Sequence, residues 1–439
     1  MESQVFNFNY GWKFKLADAF PLKQALKATA DASGHFFYER EYEEEGWKEI
    51  SVPHTYNDED LFVNRIQDAG SDQKRTFSCY RKWFTVPKEH RGKKVFLEFE
   101  GIRQTCYLYV NGTMAGYYEA GVAPFGFDLT PYLHESGENL IAVATDSTSS
   151  RNLDYFGAET PNLPGAEPGR FITSLNVEET IPEEHRGVGF FWNCNDFNPC
   201  LGGLTKNIRL HIKPMVYLTL PLYSNLRTKG IYIYGKDYDI KEKTAVICSD
   251  AEVRNESGSP IQALIRTTVA DHTGRSILSF TSEETEILPA KDLDTAIRLS
   301  ITPADAYEKT EHGYRARGEE EVGPVETDSI DCTNICSQAR AEELRFWCCE
   351  DPYLYTVTTE LICGETVMDR VEMVTGFRKV SYDGQEGLKV NDVRVWLTGY
   401  AQRAANEWAA IGAATDWLKD MDAQLIRESS ANHIRFMHV

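Results

Sequence analysis

A repeated alternation of short β-type runs and turn residues is the feature that most constrains how this chain can fold. Residues 95–100 (VFLEFE) and 107–110 (YLYV) are strand-length runs, rich in residues that favour strands. Asn111-Gly112 follows the second run, and this dipeptide is typical of type I′ hairpin turns because both positions need a positive φ. Further runs at 114–118 and 140–145 continue the pattern. Residues 1–214 therefore predict an antiparallel sandwich or jelly roll.

The β character continues over residues 215–380 and predicts a second, smaller sandwich of the immunoglobulin type. Runs rich in Val, Ile, Thr and Tyr stand at 216–222, 230–234, 244–248, 261–269 and 353–363. Between about residues 292 and 345 this pattern is lost, and the stretch EKTEHGYRARGEEEVGPVETDS is charged and poor in apolar residues. We expect this segment to be a long, disordered surface insertion.

The last stretch, residues 381–439, changes to an alternation of strand and helix. Residues 393–397 (VRVWL) predict a buried strand, and residues 433–439 (HIRFMHV) predict another. Between them, residues 416–428 predict a helix with Asp416 as N-cap and one apolar stripe, made of Trp417, Leu418, Met421, Leu425 and Ile426. Strand, helix and strand form a βαβ unit, which is the building block of a parallel sheet or barrel.

Composition narrows the classes of function. The 439 residues include 46 Lys and Arg against 67 Asp and Glu, which gives a formal net charge of −21. This charge disfavours nucleic acid and anionic membranes as partners. No apolar run reaches the roughly 20 residues of a membrane-spanning helix. The N-terminus lacks a basic or apolar leader, which predicts a cytoplasmic protein, or a secreted one whose signal peptide is missing from this chain.

The cysteines and the known short motifs predict neither a metal nor a cofactor. The 10 cysteines are scattered, with no CxxC pair and no neighbouring histidine at ligand spacing, so we expect reduced thiols. The chain has no nucleophile elbow, no phosphate-binding loop and no catalytic-cysteine signature.

Several segments, in order, resemble those of glycoside hydrolase family 2, the family of β-galactosidases, β-glucuronidases and β-mannosidases. They are WKEISVPHTYN (47–57), YRKWF (80–84), VFLEFEGI with YLYVNG, FDLTPYL and GENLIAVATD (95–146), FW with DPYLY (346–355) and TGFRKV (375–380). The resemblance implies a mainly β fold: a jelly roll at 1–214, an immunoglobulin-like sandwich at 215–380, and at 381–439 the truncated start of a (β/α)₈ barrel.

The resemblance also implies an exo-acting retaining β-glycosidase, β-galactosidase-like, that takes a β-linked oligosaccharide or glycoside. Retaining glycosidases use two carboxyl groups about 5–5.5 Å apart. In this family both are glutamates on later barrel strands, and a complete barrel takes about 250 residues. This chain ends after the second barrel strand, so we expect no catalytic residue in it and no turnover by this polypeptide alone.

Substrate-binding candidates follow from the same resemblance. Ile434-Arg435-Phe436-Met437-His438 is similar to the family's Ile-Arg-x-Ser-His segment, which implies that Arg435 and His438 line the sugar pocket. The segment after the first barrel strand matches the family's Gly-Val-Asn-Arg-His-Glu only loosely. It adds four candidates, with Trp408 as a stacking face for a pyranose: Arg403, Asn406, Glu407 and Trp408. Asp196, in WNCNDFN, resembles part of a jelly-roll loop that reaches the pocket.

Structural roles stay open for these residues. Arg403 and Arg435 are alternatively ion-paired inside the barrel, His438 is a structural histidine, and Asp196 forms a turn. The alignment of Glu407 contains at least one inserted residue. A second class of function also stays open, namely a non-catalytic carbohydrate-binding or interaction module. The sugar and homo-oligomer formation are not decided by the sequence.

Overall fold

A computed structural model describes most of the chain. The described residues are 3–17, 29–57, 77–103, 105–119, 123–146, 202–223, 226–290, 307–310, 313–316, 332–402 and 416–436. Within them the fold is mainly β, as the sequence predicts, and contains two antiparallel sandwiches followed by a short parallel unit.

Among the described residues, the first sandwich contains ten strands in two antiparallel sheets. Their bounds are β1 Gln4–Asn7, β2 Trp12–Ala17, β3 Lys48–Ile50, β4 Phe77–Thr85, β5 Lys94–Phe99, β6 Thr105–Val110, β7 Thr113–Glu119, β8 Phe125–Asp128, β9 Glu138–Asp146 and β10 Ile208–Lys213. Sheet A has the order β1-β10-β5-β8, and sheet B has the order β3-β2-β4-β9-β6-β7. Short 3₁₀ turns lie at Lys88–His90 and Thr130–Tyr132.

The hairpin predicted at Asn111-Gly112 is confirmed. β6 pairs with β7 across these two residues, whose φ angles are 50° and 87°. Positive φ at both central positions is what a type I′ turn requires, and its twist matches that of the flanking strands. The turn therefore sets the register of the pair locally.

The core of the first sandwich lies between the inner faces of sheets A and B. Alternate residues of each strand point inward, and the largest fully buried ones are aromatic or branched aliphatic: Trp12, Tyr80, Leu97, Phe99, Leu108 and Phe125. Phe99 and Phe125 stack with ring centroids 5.1 Å apart. On the opposite face of sheet B a second cluster packs under the loop that contains Phe37 and Tyr42.

The second sandwich is smaller and also has two sheets. Its strands are β11 Val216–Leu218, β12 Ile231–Asp239, β13 Thr244–Asn255, β14 Ile261–Ala270, β15 Ser276–Thr281, β16 Thr285–Ile287, β19 Thr333–Ala341, β20 Tyr355–Cys363 and β21 Thr366–Thr375. Sheet C has the order β11-β13-β12 with β19 paired to β13. Sheet D has the order β15-β14-β20-β21 with β16 paired to β14.

The prediction of an irregular insertion over residues 292–345 is wrong at its C-terminal end. β19 pairs with β13 over nine residue pairs, from Ala245↔Ala341 to Val253↔Thr333. Leu344, just beyond, is buried in the sandwich core. Two short strands, β17 Tyr307–Thr310 and β18 Gly313–Ala316, form an antiparallel pair earlier in the segment. Residues 291–306, 311–312 and 317–331 lie outside the described residues.

The C-terminal stretch contains a small antiparallel sheet and then a parallel pair. The antiparallel sheet has the strands β22 Val380–Asp383, β23 Gly387–Val390 and β24 Val393–Arg394. Strand β25 Gly399–Gln402 pairs in parallel with β26 His433–Phe436, and helix α1 Asp416–Glu428 lies between them in the chain. The predicted βαβ unit is therefore present, and the predicted helix bounds are confirmed.

The first strand of this unit is not the predicted one. Residues 393–397 supply only the two-residue edge strand β24, and Trp396 and Leu397 are 71% and 54% exposed. β25, which is less apolar, takes the parallel position instead. The predicted apolar stripe of α1 also differs, because Leu418 is fully buried whereas Trp417 and Leu425 are 64% and 55% exposed. Within the part of the chain that the structure describes, no helix is long and apolar enough to cross a membrane.

Replacement of Gly116 by alanine tests the packing between sheets A and B. A Cβ at Gly116 would overlap the ring of Phe127, which is 3% exposed. We expect Gly116→Ala to lower the free energy of unfolding by about 1–3 kcal/mol, as overpacked cores do. Urea titration followed by tryptophan fluorescence measures the change. Gly384→Ala is the control, since nothing lies within 4 Å of its added Cβ, and equal midpoints for the two variants would contradict the packing described.

Candidate substrate-binding site

The parallel pair β25–β26 carries Arg435, the predicted pocket residue that the structure describes. Gly399 is opposite His433, and a side chain at Gly399 would overlap the His433 carbonyl, so glycine permits the close approach of the two strands. The side chain of Asn432, the residue before β26, connects the N-terminal ends of the two strands. Its side-chain oxygen accepts from the Thr398 N–H at 2.9 Å and its amide donates to the Trp396 carbonyl at 2.9 Å.

Arg435 is the predicted site residue whose position the structure describes. It lies on β26 opposite Ala401, near the carboxyl ends of both strands, and its side chain is exposed. Active sites of parallel barrels lie at this end of the strands. Among the residues that the structure describes, none forms an ion pair with Arg435.

The other candidates fall outside the described residues and stay predictions. Asp196 lies in residues 147–201, and His438 lies in residues 437–439. Residues 403–415 contain the four candidates of the first βα segment, namely Arg403, Asn406, Glu407 and Trp408.

Helix α1 is anchored to the first sandwich at its N-terminal residue. The side-chain amide of Asn207 donates to both carboxylate oxygens of Asp416, at 3.3 and 3.2 Å, and to Glu100 at 2.9 Å. The pKa of Asp416 is lowered, chiefly because its carboxylate accepts a hydrogen bond from Lys419. A carboxylate in the first turn also suits the positive end of the helix dipole. The contact with Asn207 was not predicted, because the two residues are distant in the chain.

The outer face of sheet A carries the contacts between the first sandwich and the rest of the chain. Alternate residues of β5 and β10 point away from the core and form a row of ion pairs. Lys213 Nζ lies 3.1 Å from Asp369 of β21, with side chains 3% and 0% exposed. Asp369 also accepts from the Leu218 N–H at 2.9 Å and from the Ser3 hydroxyl. These contacts connect β1, β10 and the second sandwich at one carboxylate.

Lys94 forms the second ionic contact of this interface. Its ammonium lies 2.6 Å from Glu256, which follows β13, and also pairs with Asp128 of its own sandwich. Burial by itself would raise the pKa of Glu256, but the cations of Lys94 and Arg254 lower it below its usual value. The pKa of Lys94 is raised, because its two carboxylate partners outweigh the effect of burial.

An apolar cluster lies beside these two ionic contacts, since Phe96 is two residues along β5 from Lys94, which itself lies opposite Lys213. It consists of Phe96 from sheet A and three buried residues of the second sandwich and its entry loop, namely Tyr217, Leu222 and Leu226. The Phe96 and Tyr217 rings lie 5.6 Å apart. A Cβ on Gly126 would come 2.7 Å from Leu222 Cδ1, so the glycine gives Leu222 room to reach the sheet. Apolar burial and the neighbouring ion pairs together define one relative placement of the sandwiches.

The segment that follows the second sandwich, residues 376–379, is also held by specific contacts. Phe377 is 2% exposed in the sandwich core, and the guanidinium of Arg378 lies 4.6 Å from the centre of the Trp347 ring. Asn391 at the β23–β24 turn donates to the Trp347 carbonyl at 2.9 Å and accepts from the Lys379 N–H at 3.0 Å. Phe377 and Arg378 thus hold the segment that connects the second sandwich to the β22–β24 sheet.

Two family models match the chain in sequence order. "Glycosyl hydrolases family 2, sugar binding domain" matches residues 8–153, and "Glycosyl hydrolases family 2" matches residues 231–378. The matched regions contain most of the first sandwich and most of the second.

Similar proteins agree with these models. A β-glucuronidase of Formosa agariphila is 29% identical over 441 residues, which cover 100% of this chain and 36% of that protein. A β-galactosidase of Bacteroides ovatus is 22% identical and is matched over 98% of this chain and 38% of its own length. A solved β-glucuronidase of glycoside hydrolase family 2 superposes with a TM-score of 0.73 at 26% identity, covering 99% of this chain and 37% of that structure. The chain thus spans just over a third of the length of these relatives.

Glu256→Gln tests the ionic contact at Lys94. A carboxyl whose pKa is lowered by folding stabilises the folded state above its unfolded pKa, and this contribution is lost as the pH falls through the folded pKa. We expect Glu256→Gln to cost about 1–3 kcal/mol at pH 7, with the difference from the wild type shrinking below pH 4.5, its usual pKa. Urea titrations across this range measure it.

Glu372→Gln is the matched control, since this carboxylate is 57% exposed and lies 3.6 Å from Arg370. A difference from the wild type that is equal for both variants, or constant with pH for Glu256→Gln, would contradict the proposed contact.

Asp416→Ala tests the anchoring of α1. Loss of the Asn207 and Lys419 contacts should make the helix open more often, so we expect amide hydrogen exchange in residues 416–428 to rise about three- to fivefold, equivalent to roughly 1 kcal/mol or less for an exposed charged pair. Hydrogen-exchange mass spectrometry reads this out. Asp420→Ala, on the same helix, should leave the exchange unchanged, and an equal effect of both variants would show that the contact does not anchor the helix.

Proposed function

Because this chain belongs to glycoside hydrolase family 2, we propose that it forms the two β domains and the start of the catalytic barrel of an exo-acting retaining β-glycosidase. The observation that carries the proposal is the order of parts. Two family models match in sequence, and a parallel β25–α1–β26 unit follows them. The relatives are β-glucuronidases and β-galactosidases by name, so β-glycosides are the substrate class that we carry over.

In this proposal Arg435 is a substrate-binding residue. Its exposed guanidinium stands near the carboxyl end of β26, where the sugar would bind. A guanidinium offers several N–H donors in one plane, which suits neighbouring sugar hydroxyls or a uronate carboxylate. Arg403, Asn406, Glu407, Trp408, His438 and Asp196 remain proposed partners around the same pocket.

The two β domains would act as the frame of this pocket. The Asn207–Asp416 hydrogen bond holds α1 against the first sandwich, and the Asn391 hydrogen bond to the Trp347 carbonyl holds the β22–β24 sheet against the second. Small displacements of binding groups cost glycosidases much of their rate, since catalysis depends on oriented groups. We therefore propose that the sandwiches position the barrel strands. The cytoplasm stays the proposed location.

The alternative, a non-catalytic carbohydrate-binding module, makes a different prediction for the same polypeptide. It requires saturable sugar binding that does not depend on any barrel residue. Arg435→Gln separates the two proposals. This variant would abolish sugar binding at the barrel end but leave binding by a separate module intact.

An assay of the 439-residue polypeptide with 4-nitrophenyl β-D-glucuronide and 4-nitrophenyl β-D-galactoside tests the assignment of chemistry. We expect rates equal to those of buffer, because the family resemblance places both catalytic glutamates on barrel strands later than β26. Release of nitrophenolate measures turnover. Hydrolysis clearly above the buffer rate would contradict this expectation, and Glu407→Gln would then show whether Glu407 takes part.

The reading frame on the 3′ side of codon 439 tests the enzyme assignment independently. A frame that continues into an Asn-Glu pair and a second glutamate on barrel-type strands supports the glycosidase. An in-frame stop with neither residue would overturn it and leave the binding module.

A further inference from the structure

A lysine without a carboxylate partner lies at the junction between the first sandwich and α1. Lys206 is half-buried and directly precedes Asn207, whose side chain bonds Asp416 at the start of α1. Three residues before Lys206, Gly203 pairs with Arg103 through two backbone hydrogen bonds of 3.2 Å. Among the residues that the structure describes, no carboxylate forms an ion pair with Lys206, so its charge is not matched there.

The two carboxylates of this junction are paired with other cations. Glu100 accepts from the Arg209 guanidinium at 2.9 and 2.6 Å. Asp416 accepts from the Lys419 ammonium at 3.0 Å. Because each carboxylate already has a cation, the positive charge of Lys206 is in excess at this position.

Further cations surround Lys206. The pKa of Lys206 is lowered, first by burial and then by the positive charges of Lys419 and Arg103, while Glu100 acts in the opposite direction. Arg103 is itself only 5% exposed. We name Arg103, Lys206 and Lys419 the junction cluster, and it stands in a chain whose formal net charge is −21. A half-buried cation among like charges opposes folding, and such local conflicts are typical of functional sites.

The orientation of α1 places the junction cluster at the same end of the parallel unit as Arg435. A short connection, residues 429–432, joins the end of α1 to the start of β26, and Asn432 contacts Thr398 just before β25. The start of α1 therefore points towards the carboxyl ends of both strands. Lys419 lies in the first turn of α1, and Arg435 lies near the carboxyl end of β26.

We propose that the junction cluster binds an oxyanion, namely a carboxylate, sulfate or phosphate group, between the first sandwich and α1. Lysine ammonium and arginine guanidinium groups are the usual protein donors to such anions, because they supply both positive charge and N–H groups. A bound anion would also offset the repulsion among the cations.

Two sources fit this chemistry. One is an acidic substituent of the glycoside, because the junction cluster lies at the end of the strands where the substrate would bind. This source rests on the proposed function. The other is a free inorganic anion, which does not depend on glycosidase chemistry.

A calorimetric titration of the full 439-residue chain tests the proposal and distinguishes the sources. The probes are inorganic phosphate, a tetrasaccharide of β-1,4-linked glucuronate, and cellotetraose, which has the same linkage but no carboxylate. We expect saturable binding of the glucuronate tetrasaccharide and weaker binding of phosphate. Lys206→Gln should weaken both about tenfold, which corresponds to about 1.4 kcal/mol.

Two further variants are the controls for this titration. Lys206→Arg keeps the positive charge and should change the dissociation constants less than about twofold. Lys236→Gln removes the same charge from an exposed lysine of the second sandwich, and it should also change them less than about twofold.

Lys206→Gln also separates binding from folding. Since the charged form of this lysine is disfavoured in the folded state, its removal should leave the urea midpoint near neutral pH unchanged or raised. Weaker binding at such a midpoint supports the proposal. Weaker binding together with a lower midpoint would identify Lys206 as a structural residue and overturn it.

The remaining outcomes decide between the sites and the sources. Absence of saturable binding of both anions would overturn the proposal, as would equal effects of Lys206→Gln and Lys236→Gln or equal affinities for cellotetraose and the glucuronate tetrasaccharide. Phosphate that binds at least as tightly as this tetrasaccharide, and responds to Lys206→Gln, supports the site with a free anion as its ligand. Tetrasaccharide binding that Arg435→Gln weakens and Lys206→Gln leaves intact would overturn the oxyanion site while supporting the proposed pocket.

Discussion

Sheet A is the element on which the rest of the structure depends, because both of its faces are buried for different reasons. Its inner face closes the core of the first sandwich through Leu97, Phe99 and Leu210. Its outer face offers Lys94 and Lys213 to the carboxylates of Glu256 and Asp369. Buried ion pairs contribute little net stability after desolvation, but breaking one leaves an uncompensated charge. They therefore act mainly on orientation, while the apolar cluster at Phe96 supplies the favourable burial.

Through these contacts the first sandwich fixes the position of the elements that carry the proposed sugar pocket. Asn207 directly precedes β10 and donates a hydrogen bond to the Asp416 carboxylate. Helix α1 is therefore held by the same sheet that holds the second sandwich. The route through Phe377 and Trp347 reaches the parallel unit from the other side. Arg435 lies on β26, which pairs with β25 in the unit that follows these contacts along the chain. The second sandwich has a different character, since a layer of buried hydroxyls, contributed by Ser249, Thr267 and Thr359, interrupts its apolar core.

Local sequence patterns are sufficient to predict turns and helix bounds but not every strand of the sandwiches. The Asn111-Gly112 turn and the bounds of α1 are local properties and were predicted directly. β19 was missed because its inward positions are Ile335, Ser337, Ala339 and Ala341, which are too small or too polar to form an apolar alternation. Local pattern favours residues 393–397 over Gly399–Gln402 as a barrel strand because they are more apolar. Of the proposed pocket residues, Arg435 lies near the carboxyl end of β26 and its role stays a prediction, while Asn207 carried no local signal.

The sequence by itself determined the mainly β class of fold and the family. Those properties follow from turn chemistry, strand-type runs and motifs that each occupy a few neighbouring residues. Only the tertiary structure decided which strand pairs with β26, which carboxylates Lys94 and Lys213 meet, and that buried hydroxyls share one layer of the second core. These outcomes depend on contacts between residues far apart in the chain. The interaction energy of each charged pair becomes large only when folding removes both partners from water together.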